Sequence, residues 1–258
     1  MAQLRNTTIN ETGFLQLPVG NTGQRPATAA GQMRFNIDTG KVEMFDNNSW
    51  VSTGNQGVRA SGGNSVYDVD VDGTTFRVHV FTSTGSSTFT VTEGGEVEYI
   101  IVAGGGSGGN RHRGGGGAGG VITGTTTVTP QSYTFTVGVG ASGTPTTIHP
   151  DAPGGSKGGD TSAFGLTAIG GGASGGGTGG SAGGSNAGNG NRNTGFTSGQ
   201  GTSGGFGSTV FSGEWSYCGG GGGGAGTPGI DSINGSPATA GNGGNGIVTS
   251  IPGFTTYY

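Results

Sequence analysis

Apolar and polar residues alternate with a period of two along much of the first hundred positions, the pattern of half-buried strands. In Gln32–Val51, Met33, Phe35 and Ile37 alternate with Arg34, Asn36 and Asp38. The turn Asp38-Thr39-Gly40 follows, and Val42 and Met44 alternate on the returning arm. This predicts a β-hairpin, and Asp46-Asn47-Asn48 predicts a further turn before Trp50 and Val51. The small polar stretch Gly54–Asn64 reads as a linker. Beyond it lie four strand candidates: Val66–Val71, Phe76–Thr82, Ser87–Thr92 and Val97–Ala103. They are joined at Asp72-Gly73, Thr84-Gly85 and Gly94-Gly95, dipeptides favoured in tight hairpins. One small antiparallel sheet is expected. Its fourth strand, apolar on both faces, belongs at the centre.

After Ala103 the pattern changes. Strands remain: Val121–Thr129 and Ser132–Val139 are expected to pair, and Ser162–Ile169, Ser208–Phe211, Trp215–Tyr217 and Gly246–Ser250 follow. Between them run tracts such as IGGGASGGGTGGSAGGSNAGNGN and CGGGGGGAG. The chain of 258 residues has 66 glycines and only 9% charged residues. That composition excludes a helical protein, because each glycine in a helix interior costs about 1 kcal/mol relative to alanine. There is no apolar heptad pattern for a coiled coil. Nor is there a run of about 18 apolar residues for a membrane helix. The glycines do not recur at every third position as collagen requires.

A net charge of −4 argues against nucleic-acid binding through phosphates and gives no support for an anionic membrane. The first residues show no secretory signal. The lone Cys218 has no intrachain partner, so assembly in a reducing cytoplasm is expected.

Two readings of the glycine tracts compete. Glycine-serine tracts form flexible linkers. Disordered segments, however, usually carry charge, and residues 104–258 contain four basic and four acidic residues. Aromatic and apolar residues also recur between the tracts, among them Phe164, Leu166, Phe206 and Phe211. The alternative is packed, extended chains with three residues per turn, brought close because glycine lacks a Cβ. Each net hydrogen bond contributes only about 0.5–1.5 kcal/mol. Such packing therefore needs a frame of strands, aromatic contacts or neighbouring subunits, which leads to the expectation of an oligomer.

Candidate chemistry is sparse. Asp68-Val69-Asp70-Val71-Asp72-Gly73 matches the opening of a calcium loop, but its twelfth position is His79 instead of glutamate. A strand with Val69 and Val71 facing inward and an Asp-Gly turn fits better. His79, His112 and His149 lack metal-ligand spacing, and no metal or cofactor is expected. No phosphate-binding loop, dinucleotide fingerprint or nucleophile elbow is present. The acids Asp151, Asp160, Glu214 and Asp231 are too few for a paired site, so no enzyme is expected. Asn110-Arg111-His112-Arg113 is the one basic cluster and lies between glycine runs. Arg111, His112 and Arg113 are candidates for contact with an acidic sugar, a phosphate or a partner. Trp215 and Tyr217 are candidates for stacking on sugars.

The string GFLQLPVGNTGQRPATAAGQMRFNIDTGKVEMFDNNSWVS resembles a module of bacteriophage virion proteins, especially tail-fibre and other appendage proteins of marine and cyanobacterial phages. Leu17-Pro18, Gln24-Arg25-Pro26, Gly31 to Asn36, Asp38-Thr39-Gly40 and Phe45-Asp46 leading to Trp50-Val51 carry the likeness. FRVHVFTSTGSSTFTV, VEYIIVAGGGSGG and RGGGGAGGV resemble the glycine-rich domain of phage tail-fibre proteins. This region is similar to the tail-tip adhesins of T-even-like phages, which pack polyglycine helices and touch the host with loops.

The resemblance implies a virion structural protein assembled in the host cytoplasm as a homotrimer. The expected fold is mostly β. An N-terminal β-hairpin module at 1–57 serves virion attachment or trimerisation, with Phe14, Leu15, Leu17, Phe35 and Trp50 as attachment candidates. A small antiparallel sheet occupies 58–103, and a glycine-rich β/polyglycine II domain with exposed loops occupies 104–258. The expected role is a tail-fibre-like appendage that recognises a host surface glycan or outer-membrane protein. Its partners would be other virion proteins and sister subunits, with no nucleic acid and no membrane insertion. The alternative is a capsid decoration protein or head fibre anchored by its N-terminal module.

Overall fold

The computed structural model describes residues 16–26, 30–53, 57–143, 154–188, 195–196, 199–211, 215–235, 238–251 and 255–258. The chain divides into two compact units, 1–56 and 57–258. Phe14 and Leu15 lie outside the described residues.

In the first unit β1 (Val19–Gly20), β2 (Met33–Asn36), β3 (Lys41–Phe45) and β4 (Trp50–Ser52) form one sheet in chain order. β2 and β3 pair antiparallel, with Arg34 opposite Glu43 and Phe35 opposite Val42. Gly40 gives their turn its φ of +66°. The Asp46 carboxylate accepts the N–H groups of Asn48 and Ser49 and shapes the turn into β4. β1 adds to β2 in parallel, so this unit is a four-stranded sheet where a hairpin was expected.

The alternation yields two faces, but the better-buried one is polar. Arg34, Asn36 and Glu43 are 4%, 0% and 2% exposed, while Met33 and Ile37 are 43% and 56% exposed. The single turn Thr22–Gln24, capped by Asn21, brings partners to that face. Arg25 grips Glu43 through two hydrogen bonds of 3.3 and 2.8 Å. Arg34 Nη2 donates to the Asn21 carbonyl. Asn36 Nδ2 donates to Thr22 Oγ1 and Glu43 Oε2.

In the second unit β5 (Arg59–Ser61), β6 (Ser65–Val71), β7 (Thr74–Val80), β8 (Gly85–Glu93) and β9 (Gly95–Val102) precede the glycine-rich stretch. Within and after it come β10 (Val121–Val128), β11 (Gln131–Val137), β12 (Thr161–Ala163), β13 (Leu166–Ala168), β14 (Ser208–Phe211), β15 (Trp215–Cys218), β16 (Val248–Thr249) and β17 (Thr256–Tyr257). They form a five-stranded sheet, β13-β12-β11-β8-β5, and the two-stranded sheets β6-β7, β9-β10, β14-β15 and β16-β17.

These sheets correct the expected fold. The strands of 58–103 do not make one sheet but are shared among three, and β9 is not central, because it pairs only with β10. β10 and β11 do not pair with each other either, since β11 pairs with β8. The reason lies at two touching chain corners. A Cβ on Gly94 would meet Thr129 Cα at 3.2 Å and Pro130 Cδ at 3.3 Å. Both corners therefore cross from one sheet to the next together, and the pairings become β8–β11 and β9–β10. The expected homotrimer with a separate glycine-rich β/polyglycine II domain gives way to a mostly-β fold of small discrete sheets, none closed into a barrel among the described residues. The main-chain bonds that led to the expectation of sister subunits are made within one chain.

Two apolar clusters hold the sheets. Phe89, Val91, Val128 and Phe135 form one, with Phe81, Tyr133 and Phe164 packed against it. Ile101, Ala103 and Ala168 form the other. Phe164 sits at a φ of +54° in the β12–β13 turn, a conformation that side chains resist. Its ring lies 4.8 Å from Phe135, 5.6 Å from Tyr133 and 5.9 Å from Tyr99, centroid to centroid. These contacts hold the turn.

The glycine segments between strands are knitted through their backbones with a period of three. In 114–120, Gly115 and Ala118 donate to Gly220 and Gly223, while Gly117 and Gly120 donate to Gly172 and Ile169. In 181–185, Ser181 and Gly184 donate to Ala118 and Gly115, while Ala182 and Ser185 donate to Thr202 and Gly205. Successive residues reach different neighbours, and residues three apart reach the same one. That is the behaviour of an extended helix with three residues per turn. Ser181, Ala182 and Ser185 at its interior are 0%, 0% and 1% exposed.

Candidate functional site

The lattice determines which loops stand together. Segments 114–120 and 219–224 run parallel, through Gly115 to Gly220 and Ala118 to Gly223. Carried one turn back, the same register sets His112 beside Tyr217. Their rings lie 4.7 Å apart with an interplanar angle of 38°. Both residues are exposed, Tyr217 by 43%. The His112 carbonyl accepts the N–H of Ala187 at 2.8 Å, which fixes the loop to a third segment. Arg111 is exposed at a φ of +58°, its N–H donating to Asn110 Oδ1, and Arg113 is half-buried. The structure thus brings Arg111, His112, Arg113 and Tyr217 to one end of a lattice pair. The backbone of Trp215 lies in β15 opposite Phe211.

The expected attachment residues fall in the first unit. Leu17 and Phe35 are half-buried. Trp50 packs 5.7 Å from Phe45, with the Arg34 guanidinium 5.9 Å over its ring. Its Nε1 is buried without a hydrogen-bond partner. Trp50 lines an open cleft of about 550 Å³ with Pro18, Val19, Gln32 and Met33. Val19 is 60% exposed there.

Sequence reasoning missed the polar network beneath this cleft. Arg25 holds the Glu43 carboxyl below its ordinary value, helped by Asn36 and the charge of Arg34, and Glu43 in turn raises Arg25. The nearest sequence signal is Arg34, an arginine within an alternating strand. Gln200 was also missed. Its Oε1 accepts the Ile169 N–H, its Nε2 donates to the Thr167 carbonyl, and its own carbonyl accepts the Val121 N–H. A single glutamine in a glycine tract carries no sequence signal for that role.

The remaining candidates are structural in place. Asp68 forms a two-pronged pair with Arg77 at 2.8 and 2.9 Å, which lowers the Asp68 carboxyl. Asp70 accepts the Gly73 N–H in the β6–β7 turn. His79 Nδ1 lies 2.7 Å from the Gly62 carbonyl. Asp160 and Asp231 accept main-chain N–H groups of Gly170 and Phe206. Asp151, Glu214 and His149 lie outside the described residues. Among the described residues no three His, Cys, Asp or Glu side chains gather as a metal site. No described helix is long and apolar enough to cross a membrane.

A family model described as a glycine-rich domain matches residues 82–258, well over half of the chain. No curated protein and no solved structure matches it. Of the descriptors the resemblance suggested, these comparisons support "glycine-rich" alone. They correct the expectation by giving no support to virion, bacteriophage, tail fibre, host attachment, structural protein, capsid decoration or homotrimer.

Proposed function

Because the chain belongs to the glycine-rich domain family over residues 82–258, we propose that it is a rigid display scaffold whose lattice holds loops for contact with a cell surface. The His112–Tyr217 ring pair carries this reading, because a lattice register sets two exposed rings side by side. A ring pair flanked by Arg111 and Arg113 offers an apolar plane and cationic donors, the chemistry that suits an acidic glycan or an acidic protein loop. The sequence resemblance to phage appendage proteins supports placing this contact on a host cell. The cleft beside Trp50, rimmed by exposed Val19 and Met33, supports attachment of the first unit to a larger particle, whether at a tail or on a capsid shell.

The test is binding of purified protein to host cells and to an array of acidic glycans, with the variant His112→Ala/Tyr217→Ala. A hot-spot truncation costs about 2 kcal/mol or more, so binding should fall roughly 30-fold while the melting temperature stays unchanged. Equal binding by the variant contradicts the reading.

A further inference from the structure

Segments 103–109 and 114–120 form a lattice edge that is open on one side. Within 114–120, the amides of Gly115, Gly117, Ala118 and Gly120 all donate to neighbours. Gly116 and Gly119, the remaining residue of each turn, have no hydrogen-bond partner among the described residues. Three residues per turn align their N–H groups in the one direction that no neighbour fills. Gly119 is buried, and a buried main-chain N–H without a partner is rare. On the adjacent segment Ala103 and Gly106 donate to Gly120 and Gly117, yet their carbonyls accept nothing. The edge therefore offers both donors and acceptors.

A second observation is steric. A Cβ on Gly104 would run into Val139, and one on Gly106 into Gly172. Gly105 and Gly108 are different: a Cβ there meets nothing closer than 3.9 Å, both residues are exposed, and neither has a positive φ. No contact with the described residues requires glycine at these two positions. Glycine also serves where another backbone must come close.

We propose that this edge docks one extended, glycine-rich segment of a separate protein, which adds a strand to the lattice as a peptide adds to an open sheet edge. The incoming segment presents a carbonyl each turn to the N–H groups of Gly116 and Gly119, and an N–H each turn to the carbonyls of Ala103 and Gly106. It needs glycine at the one position per turn that faces Gly105 and Gly108, and its other two positions take small polar residues. Two segments frame room for a single strand, which favours a lone partner segment over the flat edge of a second copy. This inference does not depend on the loop reading.

The full chain is titrated with a synthetic peptide of about 12 residues, four turns, of repeating Gly-Gly-Asn, and with an Ala-Ala-Asn control. Amide exchange at Gly116 and Gly119 should slow at least tenfold with the first peptide only. The variant Gly105→Val/Gly108→Val should melt as the parent does and lose the effect. Unchanged exchange, or equal protection in the variant or with the control peptide, overturns the proposal. Self-association of the parent that the same variant abolishes also overturns it, because a second copy would then fill the edge.

Discussion

Arg34 and Gly184 lie inside two cores built on opposite terms. Around Arg34, side chains satisfy one another: two guanidinium groups, a carboxylate and an amide converge on a buried face. Around Gly184, side chains are almost absent. Its N–H donates to Gly115, and its carbonyl accepts from Gly175. The first core is specific in chemistry and depends on charge. The second is neutral and depends on the absence of a Cβ. The comparison teaches that a chain can have a dry interior without an apolar core, provided each main-chain group finds a partner.

The largest effect expected is from breaking the charged core. Glu43→Ala leaves Arg34 buried beside no carboxylate, and removing one partner of a buried pair costs about 3–5 kcal/mol. Denaturant titration followed by Trp50 fluorescence would measure it. The same core should fail in acid. The folded Glu43 carboxyl is held below its ordinary value of 4.5, chiefly by Arg25. Its stabilisation is full above that ordinary value and is lost as pH falls through the lowered one. Below about pH 4.5 the first unit should lose stability, while glycine amides in 114–120 keep their protection. Equal acid loss in both would erase the contrast.

A slightly smaller effect is expected from filling the neutral core. A side chain at Gly184 would run into Gly220 and Gly221, so Gly184→Val should cost about 3 kcal/mol, the upper range for overpacking. The smallest is a control: Gly140 has open space and no positive φ. Gly140→Ala should leave the melting temperature unchanged or raise stability by about 0.4–1 kcal/mol. A cost like that of Gly184→Val would show that glycine content, and not position, supports the unit.

Strand positions were largely legible in the sequence, because alternation and turn dipeptides act locally: Asp38-Thr39-Gly40 and Asp72-Gly73 turn where they should. Partners were less legible. The corners at Gly94 and Pro130 redirect β9 and β10 to each other, and nothing local encodes that. Alternation in Met33–Asp38 shows two faces without saying which is buried, and the Arg25–Glu43 contact decided for the polar one. The glycine segments carry no side-chain pattern, so the register that joins His112 to Tyr217 was invisible. Arg111–Arg113 and Tyr217 could be singled out by residue type, but not as neighbours.

The central claim is that the glycine segments are main-chain lattices with three residues per turn, and residue-resolved amide exchange across 114–120 tests it most directly. The account predicts slow exchange at Gly115, Gly117, Ala118 and Gly120, and faster exchange at Gly116 and Gly119. Uniformly fast exchange along the segment, or protection without that period, would contradict it.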